Sequence, residues 1–295
     1  MIKKYLFVIR CGLLLGVLLL GSFAIRAGHN IGGEIIYNYL GNNQYEISLI
    51  VFKNCEPGTT GFDDPASLGI FETIGGDYYD DFSLPLTSSS VDLLPSDLVN
   101  PCNIVPPQLC IERAVYSIIL TLPPLNGGYT IAYQRCCRAD GIQNLGGNQQ
   151  GTTLVATIPD IAEIGGYNSS ARFSELPPVT LCRGSEFFFN HGATDPDGDA
   201  LTYSFCNPFS GANADNPAPN PPDGPPYNPV VWAGGFNADN PITGNPSFSI
   251  DPTTGYLTGT ATTLGNFVVG VCVSEYRNGV LINTVRRDFQ YRVIF

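Results

Sequence analysis

Lysine is almost absent from this chain. Lys53 is the only lysine after residue 27, and the whole sequence of 295 residues carries a net charge of −12. Residues 1–27 contain four basic residues and no acid, so the chain without that segment has a net charge of −16. A protein this acidic is repelled by a phosphate backbone, which argues against nucleic acid as a partner.

Histidine is equally scarce, and the usual motifs of metal and catalytic sites are missing. His29 and His191 are the only histidines, and no two cysteines have the C-x-x-C spacing. This pattern argues against a zinc site. A serine hydrolase needs a base beside its nucleophile, and no nucleophile motif accompanies either histidine. We therefore predict that the protein is not an enzyme.

Apolar runs are too short for a membrane span, which needs about 20 residues. The run at residues 13–20 follows Lys3 and Lys4 and precedes the small residues Ser22, Ala24 and Ala27. This order predicts a cleaved signal peptide over residues 1–27. We expect the mature chain not to span a membrane. It should be secreted or extracellular, at the cell surface or associated with an outer membrane.

Cysteine is plentiful, with eight residues after Cys11. An even number behind a signal peptide predicts disulfides. Cys182 and Cys206 are expected to end the first and third strands of one sandwich, at the same end, and therefore to pair. A second predicted pair is Cys102–Cys110, which flanks a short Pro-Pro turn. The remaining prediction is a bridge between the two domains, from Cys272 to one of Cys55, Cys136 or Cys137.

Strand signals dominate the sequence, and no segment of helical length has a sustained 3.6-residue apolar period. Strands are predicted at residues 35–39, 45–52, 114–122, 129–134, 153–158, 180–181, 186–190, 201–205, 230–232, 247–250, 267–274 and 281–293. Residues 211–229, dense in Pro, Asn and Gly, predict a long surface loop. The pattern predicts an all-β fold of two immunoglobulin-like or cadherin-like sandwiches in tandem, over residues 28–165 and 166–295.

An acidic turn stands out at Thr194-Asp-Pro-Asp-Gly-Asp-Ala. It resembles the loop between the second and third strands of cadherin-like domains. We predict a calcium site formed by Asp195, Asp197, Asp199 and Glu275, which would stiffen the hinge between the domains. Two alternatives stay open. The aspartates could simply cap a turn, or Arg277 could neutralise them and leave no room for a cation.

Further segments resemble the N-terminal regions of large Bacteroidetes surface proteins, over about residues 29–295. They include Gly32-Gly-Glu-Ile-Ile-Tyr, Tyr133-Gln-Arg-Cys-Cys-Arg and Val273-Ser-Glu-Tyr-Arg-Asn-Gly-Val. In that family such segments precede immunoglobulin-like repeats, often with a gliding-motility-associated sorting region for type IX secretion, which this sequence does not contain. The resemblance implies a non-enzymatic adhesion or assembly module of the cell surface.

The partner is expected to be a surface protein or a glycan. An alternative function is a carbohydrate-binding module, in which Tyr227, Trp232 or Phe236 forms a patch that stacks on sugar rings. The competing interpretation for Trp232 is burial in the core, because it ends the strand-like segment Val230-Val-Trp.

Overall fold

The computed structural model describes residues 30–55, 59–95, 98, 102, 109–139, 141–147 and 149–295. The predicted signal peptide and His29 lie outside the described residues. The strands are β1 (Asn30–Gly41), β2 (Gln44–Asn54), β3 (Ala66–Glu72), β4 (Tyr78–Leu84), β5 (Val91–Leu93), β6 (Ile111–Thr121), β7 (Tyr129–Arg135), β8 (Thr152–Ile158), β9 (Arg172–Phe173), β10 (Thr180–Cys182), β11 (Glu186–Asn190), β12 (Ala193–Thr194), β13 (Ala200–Cys206), β14 (Ser249–Ile250), β15 (Tyr256–Thr260), β16 (Gly265–Arg277) and β17 (Val280–Ile294). A short α-helix of one turn, α1, spans Ile161–Ile164, and a 3-10 turn spans Ser88–Ser90.

The strands form layered antiparallel sheets, so the prediction of an all-β sandwich fold is confirmed. One sheet of eight strands has the order β13-β16-β17-β1-β2-β6-β5, with β10 added parallel to β17. A four-stranded sheet has the order β4-β3-β7-β8, and smaller sheets join β11-β15-β14 and β12-β9. Below, residues 30–165 are called the front half and residues 166–295 the back half.

The two largest hydrophobic cores lie mainly one in each half. In the front half, β1, β2 and β6 of the eight-stranded sheet pack on β3, β7 and β8 of the four-stranded sheet, with Ile47 and Leu49 facing Ile70, Ile131 and similar side chains. The back core lies mainly between β16–β17 and the sheet that contains β15. The back core also contains Ile31, Phe52 and Ile111 of the front half, and the eight-stranded sheet runs through both cores. The predicted boundary at residue 165 stays a prediction.

The halves are joined where the first described strand pairs with the last, and we call this pairing the seam. Gly32 lies opposite Phe289, and Gly33 lies opposite Asp288. A Cβ at Gly32 would lie 2.0 Å from the carbonyl oxygen of Asp288, and one at Gly33 would lie 2.2 Å from the carbonyl oxygen of Ile50. Only glycine allows this close approach of the strands.

Two buried ion pairs cross the seam. Arg287 donates to both carboxylate oxygens of Glu34, at 3.0 and 2.7 Å, and the two side chains are 2% and 5% exposed. Arg138 likewise donates to both oxygens of Asp288, one of them at 2.9 Å. Because a buried charge is tolerated only when it is paired, these contacts hold the halves in one arrangement.

The disulfides differ from the predicted pairs. They are Cys55–Cys110, Cys102–Cys182, Cys136–Cys137 and Cys206–Cys272. The predicted Cys182–Cys206 pair is wrong. Cys182 lies opposite Ile294 of β17, whereas Cys206 lies opposite Gly270, which itself faces Asp288. Ile294 and Asp288 are six residues apart in β17, so the two cysteines lie about 20 Å apart along the strand direction. A disulfide requires Cα atoms within about 7 Å.

The predicted Cys102–Cys110 pair is also wrong. Cys55 and Cys110 adjoin the paired ends of β2 and β6, and the Cys55 backbone nitrogen donates to the Cys110 carbonyl oxygen at 2.8 Å. The strand register therefore places these two side by side. Cys102 is bonded to Cys182, with Cα atoms 5.6 Å apart, and this disulfide joins the two halves.

Cys272 does not bond to the front half, contrary to the prediction. Ser204 lies opposite Cys272 in the β13–β16 pair, and Cys206 is two residues further along the same face of β13. The two cysteines are diagonal neighbours with Cα atoms 5.8 Å apart. The disulfide set as a whole indicates a non-cytoplasmic protein. Within the described residues, no helix has the length and apolar character needed to cross a membrane.

Most strands occur where they were predicted, with two kinds of exception. The predicted strand at residues 230–232 is not formed, since Trp232 makes only an isolated bridge to Leu145. The strands that were missed are β3, β4, β5, β9, β12 and β15. Two tight turns set the hairpin registers of the large sheet: Asn42-Asn43 between β1 and β2, and Asn278-Gly279 between β16 and β17, all with positive φ. Asparagine and glycine are the residues that such turns select.

Candidate functional site

The three aspartates of the acidic turn lie together at the start of β13. One oxygen from each of Asp195, Asp197 and Asp199 lies within 4.8 Å of the others. Asp195 Oδ1 accepts hydrogen bonds from the backbone nitrogens of Asp197 (2.9 Å) and Asp199 (3.0 Å). This is the capped turn that the sequence left open as an alternative. Burial raises the pKa of the Asp195 carboxyl, and the two neighbouring carboxylates add to that effect.

Arg277 supplies the positive charge at this turn. Its Nε and Nη2 donate to the two oxygens of Asp199, at 2.9 and 2.6 Å, and Nη2 lies 3.9 Å from Asp197 Oδ2. The same guanidinium donates to the Tyr167 carbonyl oxygen (3.0 Å) and to Asn168 Oδ1 (3.1 Å). The second alternative of the sequence analysis, a salt-bridged loop, is therefore present. Calcium would have to compete with this arginine for Asp199.

Glu275 is fully buried and is not part of the aspartate group. Its Oε1 accepts the backbone N–H of Ala171 at 2.6 Å, and its Oε2 accepts Asn168 Nδ2 at 2.8 Å. Asn283 Nδ2 lies within 3.2 Å of both oxygens. Burial raises the pKa of this carboxyl to about 7, against the opposing effect of these donors. Both carboxylate oxygens of Glu275, the predicted calcium ligand, thus already accept hydrogen bonds from nitrogen donors.

Residues 167–171 tie this region to the front half. We call the set Asn168, Asp195, Asp197, Asp199, Glu275 and Arg277 the junction. The backbone nitrogen of Ser170 donates to the Tyr37 carbonyl oxygen at 2.9 Å, and the backbone nitrogen of Ser169 donates to Asp197 Oδ2 at 2.5 Å. Asn168 connects the two sides of the junction, since its Nδ2 donates to Glu275 and its Oδ1 accepts from Arg277. Calcium binding there stays a prediction.

A second feature, the interhalf groove, lies on the other side of Asn283 and has a volume of about 460 Å³. The front half lines it with side chains of β7 and β8, and the back half lines it with β17 and the loop after β13. The side chains that matter here are Thr157, Phe209, Tyr227, Leu281, Asn283 and Arg286. Leu281 is 52% exposed at its edge.

Three residues of the interhalf groove each have one buried polar atom without a hydrogen-bond partner. These atoms are Tyr227 Oη, Asn283 Oδ1 and Arg286 Nε, and none of them is exposed in the groove. Burial raises the pKa of the Tyr227 hydroxyl, with the Asp223 carboxylate adding to the effect, so the hydroxyl keeps its proton. A buried polar group without a partner costs about 1–3 kcal/mol. Because these three atoms are buried, they lower the stability of the fold and do not offer hydrogen bonds to a ligand in the groove.

The three aromatic residues predicted to face sugars do not share one surface. Tyr227 lines the interhalf groove beside Phe209, with ring centroids 5.9 Å apart. Trp232 packs on a separate small core, and its Nε1 donates to Asn207 Oδ1 at 2.9 Å. Phe236 packs against Phe267 of the back core. Sequence reasoning missed Arg286 and Asn283, which an aromatic pattern does not reveal.

His191 is buried rather than placed in a cleft. Its Nε2 lies 3.0 Å from the Tyr291 hydroxyl, and burial lowers its pKa well below the ordinary value, with Arg287 contributing. The imidazole is therefore neutral and packed among the rings of Phe173 and Phe189. It is in no position to act as a base toward a substrate at the surface.

Comparisons with known proteins give little guidance. No protein-family model matches the chain. Among curated proteins, the integrin beta-like protein A of Dictyostelium discoideum is 29% identical over 87 residues. The aligned segment covers 28% of this chain and 4% of that protein. The chain therefore spans a very small part of this relative, and the similarity does not establish a family.

Proposed function

We propose that the chain is a non-enzymatic adhesion or assembly module of the cell surface, exported through a signal peptide and belonging to the Bacteroidetes surface proteins it resembles. The observation that carries the proposal is the locked contact between the halves. The eight-stranded sheet, the Cys102–Cys182 disulfide and two buried ion pairs all cross it. A module that holds a partner under load needs two sandwiches that keep one orientation.

The partner in this proposal is a surface protein or a glycan. A second candidate function, carbohydrate binding, is favoured by the interhalf groove, whose lining includes the aromatic residues Phe209 and Tyr227. The non-enzymatic part of the proposal is supported by His191, which is buried and neutral. Calcium stiffening of the junction remains a further hypothesis, favoured by Asp195 Oδ2, which has no partner, and opposed by Arg277.

The test is carried out on intact cells of the producing organism. Antibody against the chain should label unpermeabilised cells, and deletion of the gene should reduce attachment of cells to one another or to a surface. Expression of the wild-type gene should restore attachment. Labelling that requires permeabilised cells would contradict the location, and unchanged attachment in the deletion strain would contradict the adhesive role.

A further inference from the structure

We infer that the chain forms a dimer in which residues 117–121 of β6 pair antiparallel with the same residues of a second copy. We call this part of β6 the open edge. The inference deepens the proposed assembly role and rests on it, because it names one partner of the module as a second copy of the chain.

The hydrogen bonds of β6 show which of its backbone groups face the open edge. The backbone nitrogen of Leu122 donates to the Asn43 carbonyl oxygen at 2.8 Å, and that of Cys55 donates to the Cys110 carbonyl oxygen at 2.8 Å. The register between β2 and β6 has no shift between these two points, so the even-numbered residues of β6 bond to β2. The N–H and C=O groups of the odd-numbered residues therefore point away from β2.

The neighbouring strand β5 covers only the first part of this edge, since it pairs with residues 112–114 of β6. No described residue makes a hydrogen bond with the backbone groups of Ser117, Ile119 or Thr121. All three side chains are exposed, and Ile119 is 57% exposed. An extended strand with free N–H and C=O groups is a template for pairing with another strand.

Two other edge strands of the large sheets are protected against such pairing. Strand β4 ends the four-stranded sheet and carries the charged residues Asp80 and Asp81. Strand β13 ends the eight-stranded sheet, and the backbone nitrogen of Tyr203 in it donates to the Pro252 carbonyl oxygen at 3.0 Å. Charged residues and covering segments are the usual protection of an edge. Residues 117–121 contain no charged residue, glycine or proline.

The open edge is complementary to itself in an antiparallel pair. When Ile119 lies opposite Ile119 of the second copy, Ser117 of each copy lies opposite Thr121 of the other. Each of these three pairs joins residues whose backbone groups face the edge, so each exchanges two hydrogen bonds. An apolar pair forms at the centre and hydroxyl pairs form on both sides, which are favourable cross-strand combinations. No charges are brought face to face, although the chain has a net charge of −12.

The flanking residues favour this register over its neighbours. A pair centred on Ile118 would place Leu122 of the second copy opposite Ala114, where Val91 of β5 already pairs. A pair centred on Leu120 would place proline 123 of the second copy opposite Ser117, and proline has no N–H to donate. The pair centred on Ile119 avoids both conflicts.

Dimerisation through the open edge would join the eight-stranded sheets of two copies into one continuous sheet. The seam of each copy lies in that sheet, so a load on one copy would pass to the other through backbone hydrogen bonds. The contact is small, and we therefore expect a weak dimer in solution. Attachment of many copies to one surface would raise their effective concentration and favour pairing.

The experiment is sedimentation velocity on the purified chain over roughly 1–500 μM, the range in which small interfaces associate. The wild type should change from monomer to dimer. Ile119→Lys places two like charges opposite each other and should raise the dissociation constant of the dimer by about tenfold or more. The matched control is Ile74→Lys, because Ile74 lies in the turn between β3 and β4, is also 57% exposed and gains the same charge. It should change the dissociation constant by less than about twofold.

A backbone variant separates edge pairing from side-chain contact. Thr121→Pro removes an N–H that faces the open edge and no hydrogen bond to β2. It should weaken the dimer and leave the melting temperature of the dilute monomer unchanged. In the wild type, amide hydrogen exchange at Ser117, Ile119 and Thr121 should be slower at high than at low protein concentration, whereas exchange at Ile74 should not depend on concentration.

A wild type that stays monomeric over the whole range would overturn the inference. A dimer that Ile74→Lys weakens as much as Ile119→Lys, or one without concentration-dependent protection of the three amides, would overturn it as well. If the open edge pairs only with a strand of another protein, the chain stays monomeric and the inference fails. Cell attachment through the gene would still support the proposed function in all of these cases. Conversely, a dimer without any effect of gene deletion on attachment would contradict the proposed function alone.

Discussion

The two halves of this protein meet in two contrasting regions. At the seam and the junction, the buried carboxylates of Glu34, Asp288 and Glu275 each accept two or more hydrogen bonds. Beneath the interhalf groove, three buried polar atoms have no partner. Satisfied buried charges fix a structure, whereas unsatisfied polar atoms are kept at a cost to stability. The contrast separates buried polar groups that hold the fold together from buried polar groups that weaken it.

The largest effect is expected from breaking a seam ion pair. Arg287→Met leaves the Glu34 carboxylate buried without a counter-charge and should lower the free energy of unfolding by about 3–5 kcal/mol. The measurement is urea unfolding with the disulfides intact, with Trp232 fluorescence as the signal that monitors unfolding.

Two controls sharpen this prediction. The double variant Glu34→Leu/Arg287→Met removes both charges and should recover more than half of the loss. Arg113→Met breaks the exposed pair with Asp92 and should cost no more than about 1 kcal/mol. An Arg287→Met protein as stable as Arg113→Met would show that the seam pair does not hold the halves together.

A smaller, pH-dependent effect is expected at Glu275. Its pKa in the folded chain is raised to about 7 from 4.5, so the folded state binds this proton more tightly than the unfolded state. The resulting stability is fully present below pH 4.5 and is lost as the pH rises through about 7. At about 1.4 kcal/mol per unit, the loss approaches 3 kcal/mol. The free energy of unfolding of wild type minus that of Glu275→Gln should fall by this amount between pH 4 and 8.

The difference between wild type and Glu275→Gln is used because His191 makes the free energy of unfolding depend on pH in the opposite direction. Its pKa is lowered in the folded chain by burial, so stability is lost as the pH falls through the unfolded value of about 6.5. Both proteins contain His191, and its contribution cancels. Glu186→Gln, at an exposed glutamate, is the matched control and should follow the wild-type curve. A pH-independent difference for Glu275→Gln would contradict the raised pKa.

The next prediction concerns the charge that balances the acidic turn. Arg277→Gln should destabilise the chain by about 1–3 kcal/mol, because Asp199 loses both of its charged donors. We expect calcium and chelator to leave the melting temperature of the wild type unchanged, and calcium to raise that of Arg277→Gln. Asp195→Asn added to Arg277→Gln should remove the response. A calcium-dependent rise in the wild type would instead support the predicted calcium site.

The smallest effect is expected in the interhalf groove. Tyr227→Phe removes a hydroxyl that has no partner and should change stability by less than about 0.5 kcal/mol. Tyr37→Phe is the matched deletion at the junction, where the hydroxyl accepts hydrogen bonds from Asn168 and Asn283 at 2.9 and 3.2 Å. It should cost about 1–3 kcal/mol. Equal losses in the two variants would remove the distinction between the regions.

Local patterns in the sequence predicted most of the strands. In β2 the alternation of buried Tyr45, Ile47 and Leu49 with less buried neighbours is visible without a structure. The junction was also accessible, because hairpin topology brings the loop before β13 to the turn after β16. The loop predicted at residues 211–229 contains no strand in the structure, and its last part supplies Tyr227 to the groove.

Long-range pairing was not accessible in the same way. The seam joins residues about 250 positions apart, and its one local signal is the Gly32-Gly33 pair inside a strand, which marks close backbone approach. The predictions for Cys182–Cys206 and for Cys272 failed for the same reason, since they assumed strand directions within separate sandwiches. The Cys102–Cys110 prediction rested on a short turn and missed the partner at Cys182, which is 80 residues away. The interhalf groove depends on all these pairings, so neither Arg286 nor Asn283 could be assigned to it from sequence.

The seam has a consequence for how the chain acquires its structure. Synthesis proceeds from the N-terminus, yet β1 pairs with β17, the last strand of the chain. Until residues 280–294 are made, one edge of β1 and the carboxylate of Glu34 have no partner. Such distant contacts slow folding and leave an open strand edge that can join another chain. The edge of β1 is therefore expected to stay open to pairing with other chains until residues 280–294 pair with it.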